Sequence, residues 1–206
     1  MNTVRLLFCF VVSITLAGCA AMNENECRTA NWYNIGLEDG SQGREMSNLS
    51  SYRQACAEYG ITANATEYSQ GYNEGVVNFC TPQKGYNLGR NGGSYTGICP
   101  SPLEKPFVNA YQQGQKIYQQ VQLVEQNKTR ISALEEEIAA LSIAVNETEQ
   151  RLLAPELTPE ARKAELDLLL NQQRQQANAE AELKAAIQQR VASEVELERL
   201  RAAAPY

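Results

Sequence analysis

The sequence predicts a mainly α-helical protein: a small disulfide-linked, Gly/Tyr-rich helical domain followed by a long antiparallel helical hairpin of coiled-coil character. Three observations carry this. Four cysteines lie within residues 27–99, a tyrosine–glycine unit recurs between residues 33 and 114, and apolar residues alternate at three and four positions over much of residues 107–206.

In chain order, the N-terminus reads as a targeting segment. Arg5 precedes the apolar run LLFCFVVSITLA, which has the length of a signal-peptide core. A membrane span needs about 20 apolar residues, and the polar run NENECR arrives too early for one. Leu16, Ala17, Gly18 and Cys19 resemble a bacterial lipobox. That resemblance implies cleavage after residue 18, acylation of Cys19 and attachment to the lipid bilayer. With Ala20 next, it implies the outer membrane, on its periplasmic side. Residues 19–26 then form the acylated N-terminus and a short tether.

Removing residues 1–18 from the 206-residue chain leaves 188, with 17 basic and 24 acidic residues and a net charge of −7. Nucleic acid, which rewards clustered Lys and Arg, is not an expected partner. Cys27, Cys56, Cys80 and Cys99 are an even set expected to form two disulfides in an oxidising compartment. Three pairings are open; Cys27 with Cys56 and Cys80 with Cys99 closes the shortest loops. The spacings contain no CxxC pair and the chain has no histidine, so no metal site is expected.

Within residues 27–106, the expected disulfide-rich domain, tyrosines accompany glycines four apart: Tyr33 with Gly36 and Gly40, Tyr68 with Gly71 and Gly75, Tyr86 with Gly85 and Gly89. The pattern extends to Tyr111 and Gly114, with Tyr118 where a second glycine would stand. Residues four apart share a helix face. Glycine there costs about 1 kcal/mol of helix propensity, so close backbone packing or a ligand must compensate. The intervals are unequal, which argues against a regular solenoid. Asn91–Gly97 reads as a turn or irregular strand, and the proline-rich run Cys99–Pro106 as irregular.

Phe107 is the expected start of the long helix, whose first turns pack into the preceding domain. Ile117, Val124, Ile131, Leu134, Ile138, Leu141, Val145, Thr148 and Leu152 follow the coiled-coil period. A break is expected near 153–160, where Pro155 interrupts and Thr158–Pro159 reads as an N-cap and first helical residue. The return helix offers a broader apolar face of Leu166, Leu169, Leu170, Ala177, Leu183, Ile187, Val191 and Leu197.

The segments C27RTANWYNIGLEDGSQG43, Ala55–Ala57, Tyr68–Gly75, Phe79–Pro82, Gly85–Arg90, Tyr95–Cys99 and Phe107–Tyr118 together resemble a family of small bacterial lipoproteins known as domain of unknown function 2799. The resemblance covers roughly residues 27–120 and implies a domain boundary and an envelope location, but no catalytic chemistry. The residues themselves provide no Ser–His or Cys–His pair and no Walker loop. No catalytic residue or cofactor is assigned. The remaining enzymatic option is a carboxylate pair drawn from Glu38, Asp39, Glu67 and Glu74 acting on a glycosidic bond.

The expected function is that of an envelope scaffold or interaction protein without turnover. Its partners would be an envelope protein, or a second copy through the hairpin. The alternative is binding of peptidoglycan or another glycan on a surface including Trp32, Tyr72, Glu74, Tyr86 and Arg90.

Overall fold

The computed structural model describes residues 22–206. The expected signal segment, the acylated Cys19 and Ala20 lie outside them. Among the described residues there are seven helices: α1 (Glu24–Thr29), α2 (Trp32–Ser41), α3 (Asn48–Ala57), α4 (Ala65–Phe79), α5 (Pro82–Arg90), α6 (Ser101–Leu152) and α7 (Pro159–Ala203). No strand occurs among the described residues. The chain divides into two compact units between Phe79 and Cys80. The glycine-rich residues 27–106 are therefore shared between two units rather than gathered into one with a boundary near Pro106.

The first unit begins sooner than the expected tether allows. The Asn23 side chain accepts from Glu26 N while the Glu26 carboxylate accepts from Asn23 N, a capping box that starts α1 at Glu24. Asn31 caps α2, and the Asn64 side chain accepts from the Thr66 and Glu67 amides at the start of α4. Of the three disulfide pairings, the shortest-loop one forms. Cys27–Cys56 ties α1 to α3, and Cys80–Cys99 ties the entry of α5 to the segment leading into α6.

In the second unit, α6 begins at Ser101, so the run expected to be irregular up to Pro106 is already helical. The Pro100 carbonyl accepts from Leu103 N and Glu104 N. Pro102 occupies an early position whose N–H would have no helical acceptor. Pro106, inside the helix, forfeits the bond to the Pro102 carbonyl. At the far end the Thr158 hydroxyl accepts from Ala161 N and Pro159 opens α7, as expected.

α6 and α7 pack antiparallel. Asn127 Nδ2 donates to Ser193 Oγ at 3.3 Å, Arg130 pairs with Glu182 at 3.0 Å, and Thr148 Oγ1 donates to Gln172 Oε1 at 2.9 Å. The α6 seam follows the expected positions, with Ile117, Val124, Leu134 and Thr148 buried. The α7 seam does so only in part, at Leu197, which is buried, and at Leu169 and Leu183, which are half-buried. It buries Ala179, Ala186, Ser193 and Leu197, while Leu166, Leu170, Ala177, Ile187 and Val191 are exposed. Small residues seven apart let the helices approach closely, so the register that buries them displaces the branched side chains beside them to the outside.

Candidate functional site

The glycines expected to serve packing do so in two helix pairs, one per unit. In the first, a Cβ on Gly36 would overlap the Tyr68 carbonyl and one on Gly40 the Tyr72 carbonyl. Reciprocally, Gly71 faces the Tyr33 carbonyl and Gly75 that of Leu37. Each glycine meets the carbonyl three residues before its counterpart, and the order rises along both helices, so α2 and α4 run parallel. The α-hydrogen that replaces a side chain points at a carbonyl oxygen, the arrangement of a Cα–H···O contact. α3 lies on the crossover between the paired helices.

Where α2 ends, Gly43 adopts φ +76°. Gly43 N donates to Gly40 O and Arg44 N to Asp39 O, a Schellman motif. This reversal returns Arg44 to the helix it has just left. Its guanidinium donates to Asp39 Oδ1 at 2.9 Å, joined there by the Tyr52 hydroxyl at 3.3 Å, while Tyr68 donates to Oδ2 at 2.7 Å. Asp39 is 1% exposed and Tyr68 fully buried. Burial, then the bond to Asp39, raises the Tyr68 phenol far above its ordinary value. Burial also raises those of Tyr52 and Tyr72. Tyr72 donates to the Arg44 carbonyl at 2.8 Å, closing the cluster.

The second unit repeats this plan. A Cβ on Gly85 would meet the Phe107 carbonyl, one on Gly89 the Tyr111 carbonyl, and one on Gly114 the Tyr86 carbonyl; Ala110 takes the place of the fourth glycine. α5 and the first turns of α6 are thus also parallel. α5 ends in the same motif: Gly92 has φ +74°, Gly92 N donates to Gly89 O and Gly93 N to Leu88 O. Tyr111 donates to the Gly93 carbonyl at 2.9 Å, as Tyr72 does to that of Arg44. The ring of Tyr118 covers Gly92 where that of Phe79 covers Gly43. Each pair also carries one disulfide from the entry of its first helix to its crossover. The two units are copies of one helix–crossover–helix design. They differ at the acid: Leu88 stands where the first unit has Asp39, and buried Phe107, against Tyr95 with ring centroids 4.9 Å apart, stands where it has Tyr68.

The candidate ligand residues do not form one outward face. Trp32, Tyr72 and Tyr86 are buried at 5–6% exposure. Trp32 packs 6.4 Å from Tyr52 and Tyr72 stacks 6.1 Å from Tyr68. Exposed Glu74 accepts from Tyr33 on the neighbouring helix, not from Tyr72. Arg90 lies 5.8 Å over the Tyr86 ring, which is also 5.1 Å from that of Tyr206. Of the acids, Glu38 accepts from Gln42 and Asp39 is enclosed by phenols and Arg44. Sequence reasoning named Asp39 but missed Arg44 and Tyr52. The only signal for the cluster was that Asp39 shares the glycine face of α2, three residues after Gly36.

Among the described residues no group of three or more His, Cys, Asp or Glu side chains is placed to hold a metal ion. No helix among them is long and apolar enough to cross a membrane. A cleft of about 410 Å³ between α6 and the end of α7 is lined by Gln113, Lys116, Arg199, Leu200, Ala203, Ala204 and Pro205. Arg199 is already held by Glu196 through two 2.6 Å bonds.

The segment holding both glycine-paired motifs, from the α2 cap to the first turns of α6, is also where a family similarity lies. Residues 31–116 match the family model described as protein of unknown function (DUF2799). The DUF2799 match begins at the Asn31 cap and ends just beyond Gly114. It takes in every packing glycine, covers less than half of the chain and leaves most of the hairpin outside. No curated protein and no solved structure matches the chain.

Proposed function

We propose that this protein is an envelope scaffold: an outer-membrane lipoprotein held by acylated Cys19 on the periplasmic side, which engages other envelope components through its hairpin and turns nothing over. The observation that supports it is a division of labour. The glycines, the buried acid and the rings of Trp32, Tyr68, Tyr72, Tyr86 and Phe107 in the matched segment are consumed in packing, whereas the hairpin, outside most of that segment, keeps branched aliphatic side chains exposed. Leu166, Leu170, Val191 and Val195 are 47%, 51%, 47% and 66% exposed. Glycan binding has less support, because Trp32, Tyr72 and Tyr86 turn their faces inward.

The anchor is tested by acyl labelling and membrane fractionation of Cys19→Ala, which should lose both the label and the membrane fraction. The adaptor role is tested by shortening the hairpin at its Arg130–Glu182 pair, removing residues 131–181. That leaves the base in which Tyr86, Ala110, Ile117, Val124 and Leu197 form a core. In-cell cross-linking of the shortened chain should lose partners that the full chain captures, and an unchanged set would end the adaptor reading.

A further inference from the structure

The exposed stripe of α7 has an order that the packing against α6 does not require. It runs through Lys163, Leu166, Leu170, Gln173 and Ala177, and again through Lys184, Gln188, Val191, Val195 and Glu198, at helical three–four spacing on either side of Glu180 and Ala181. Read from its two ends inward, the four outer pairs match, apolar against apolar, amide against amide and unlike charges against each other, and only the innermost, Ala177 with Lys184, does not. Lys163 corresponds to Glu198, Leu166 to Val195, Leu170 to Val191 and Gln173 to Gln188, about a midpoint between Glu180 and Ala181. A patch that was merely leftover hydrophobicity would have no reason to match its own reverse at four of five pairs.

We propose that this stripe is the interface of an antiparallel homodimer, with α7 of one chain packed against α7 of a second copy across a two-fold axis near Glu180–Ala181. A two-fold contact presents the same surface on both subunits, so its residues must complement themselves in reverse order. In that register Leu166 and Leu170 of one chain pack on Val195 and Val191 of the other, at both ends of the contact. Lys163 lies opposite Glu198 twice. Glu198 now pairs with Arg201 at 2.9 Å, an exposed neighbour on its own helix, and such a pair is weak enough to be exchanged. A parallel dimer would instead set Lys163 against Lys163, Lys184 against Lys184 and Glu198 against Glu198. Charge therefore selects the antiparallel arrangement. The span from residue 163 to 198 is about 54 Å of helix at 1.5 Å per residue.

This inference rests on the scaffold reading only in placing the interaction surface on the hairpin, and purified chain tests it separately. Sedimentation equilibrium of the full chain in non-ionic detergent should show a monomer–dimer equilibrium. Lys163→Glu and Glu198→Lys should each weaken it about two- to tenfold, and the two together should restore it. Leu170→Asp should weaken it more than about tenfold while far-UV circular dichroism stays unchanged. Under mild oxidation, chains carrying Leu170→Cys should cross-link to chains carrying Val191→Cys but not to each other. A monomer at all concentrations, failure of the charge-swapped pair to recover, or Leu170→Cys self-cross-linking would each overturn the proposal. A monomeric chain whose hairpin still captures other proteins in cells would end the dimer and leave the scaffold reading intact. A dimer whose hairpin-shortened form keeps every cellular partner would do the reverse.

Discussion

Asp39 accepts from Arg44, Tyr52 and Tyr68, so its removal is felt through the groups it leaves behind. A buried hydroxyl stripped of its acceptor costs about 1–3 kcal/mol. The second unit shows that the fold does not need the acid, since Leu88 and Phe107 fill the equivalent places. Asp39→Leu alone is therefore expected to destabilise, and adding Tyr68→Phe should recover about 1 kcal/mol or more in a urea-denaturation double-mutant cycle. Strict additivity would show that the bond is not what makes Asp39 costly to remove. The glycines give a harder test. Alanine in an open helix gains about 1 kcal/mol over glycine. At Gly71 the new Cβ would meet the Tyr33 carbonyl, which belongs to backbone and cannot swing aside. Gly71→Ala should cost about 2–3 kcal/mol by thermal denaturation, and a neutral result would mean that α2 and α4 can separate freely.

The hairpin shows which features of an element are written locally and which are decided by its partner. Pro155, the Thr158 cap and Pro159 act through the backbone of a few adjacent residues, so the joint is readable from the chain alone. The disulfides are readable as an even set, although only folding selects one of three pairings. The α7 seam is readable only in part, at Leu169, Leu183 and Leu197. Two stripes lie side by side on α7, one rich in branched residues and one in small residues, and hydrophobicity alone favours the first. Close approach of α6 selects the second. It places Ala186 at 1% exposure and leaves the adjacent Ile187 at 39%. Ala186→Leu should therefore overpack the seam and destabilise the chain by about 1–3 kcal/mol, whereas Ile187→Ala should change stability by less than about 0.5 kcal/mol. Urea denaturation at low protein concentration compares the two, and the opposite ranking would restore the face that hydrophobicity suggests. Asp39 was obscure for a related reason. An acid in a polar stretch reads as surface until the Schellman turn at Gly43 brings Arg44 back onto it from five residues on and α4 brings Tyr68 to it from 29 residues on.

Across the whole molecule, one helix–crossover–helix design is used twice, with a hydroxyl-rich interior in the first unit and a largely apolar one in the second. That asymmetry makes stability sensitive to alkaline pH chiefly through the first unit. In the unfolded chain tyrosines lose their protons near the ordinary value of 10.0. In the folded chain burial, followed by the bond to Asp39, holds the Tyr68 proton to higher pH, and burial does the same for Tyr52 and Tyr72. Above that ordinary value the unfolded state therefore binds fewer protons than the folded one, so stability is fully present below it and falls as pH rises beyond it. Each phenol still protonated only in the folded state contributes a slope of up to about 1.4 kcal/mol per pH unit. The thermal midpoint should stay nearly level between about pH 7 and 9 with respect to these groups and drop beyond about pH 10, with phenolate absorbance rising in step with unfolding. Tyr68→Phe, which removes the most strongly raised phenol, should begin less stable at neutral pH but lose stability less steeply in alkali. Equal alkaline slopes in the two proteins would show that Tyr68 ionises without unfolding the unit, and that the first unit opens locally around Asp39 before it melts.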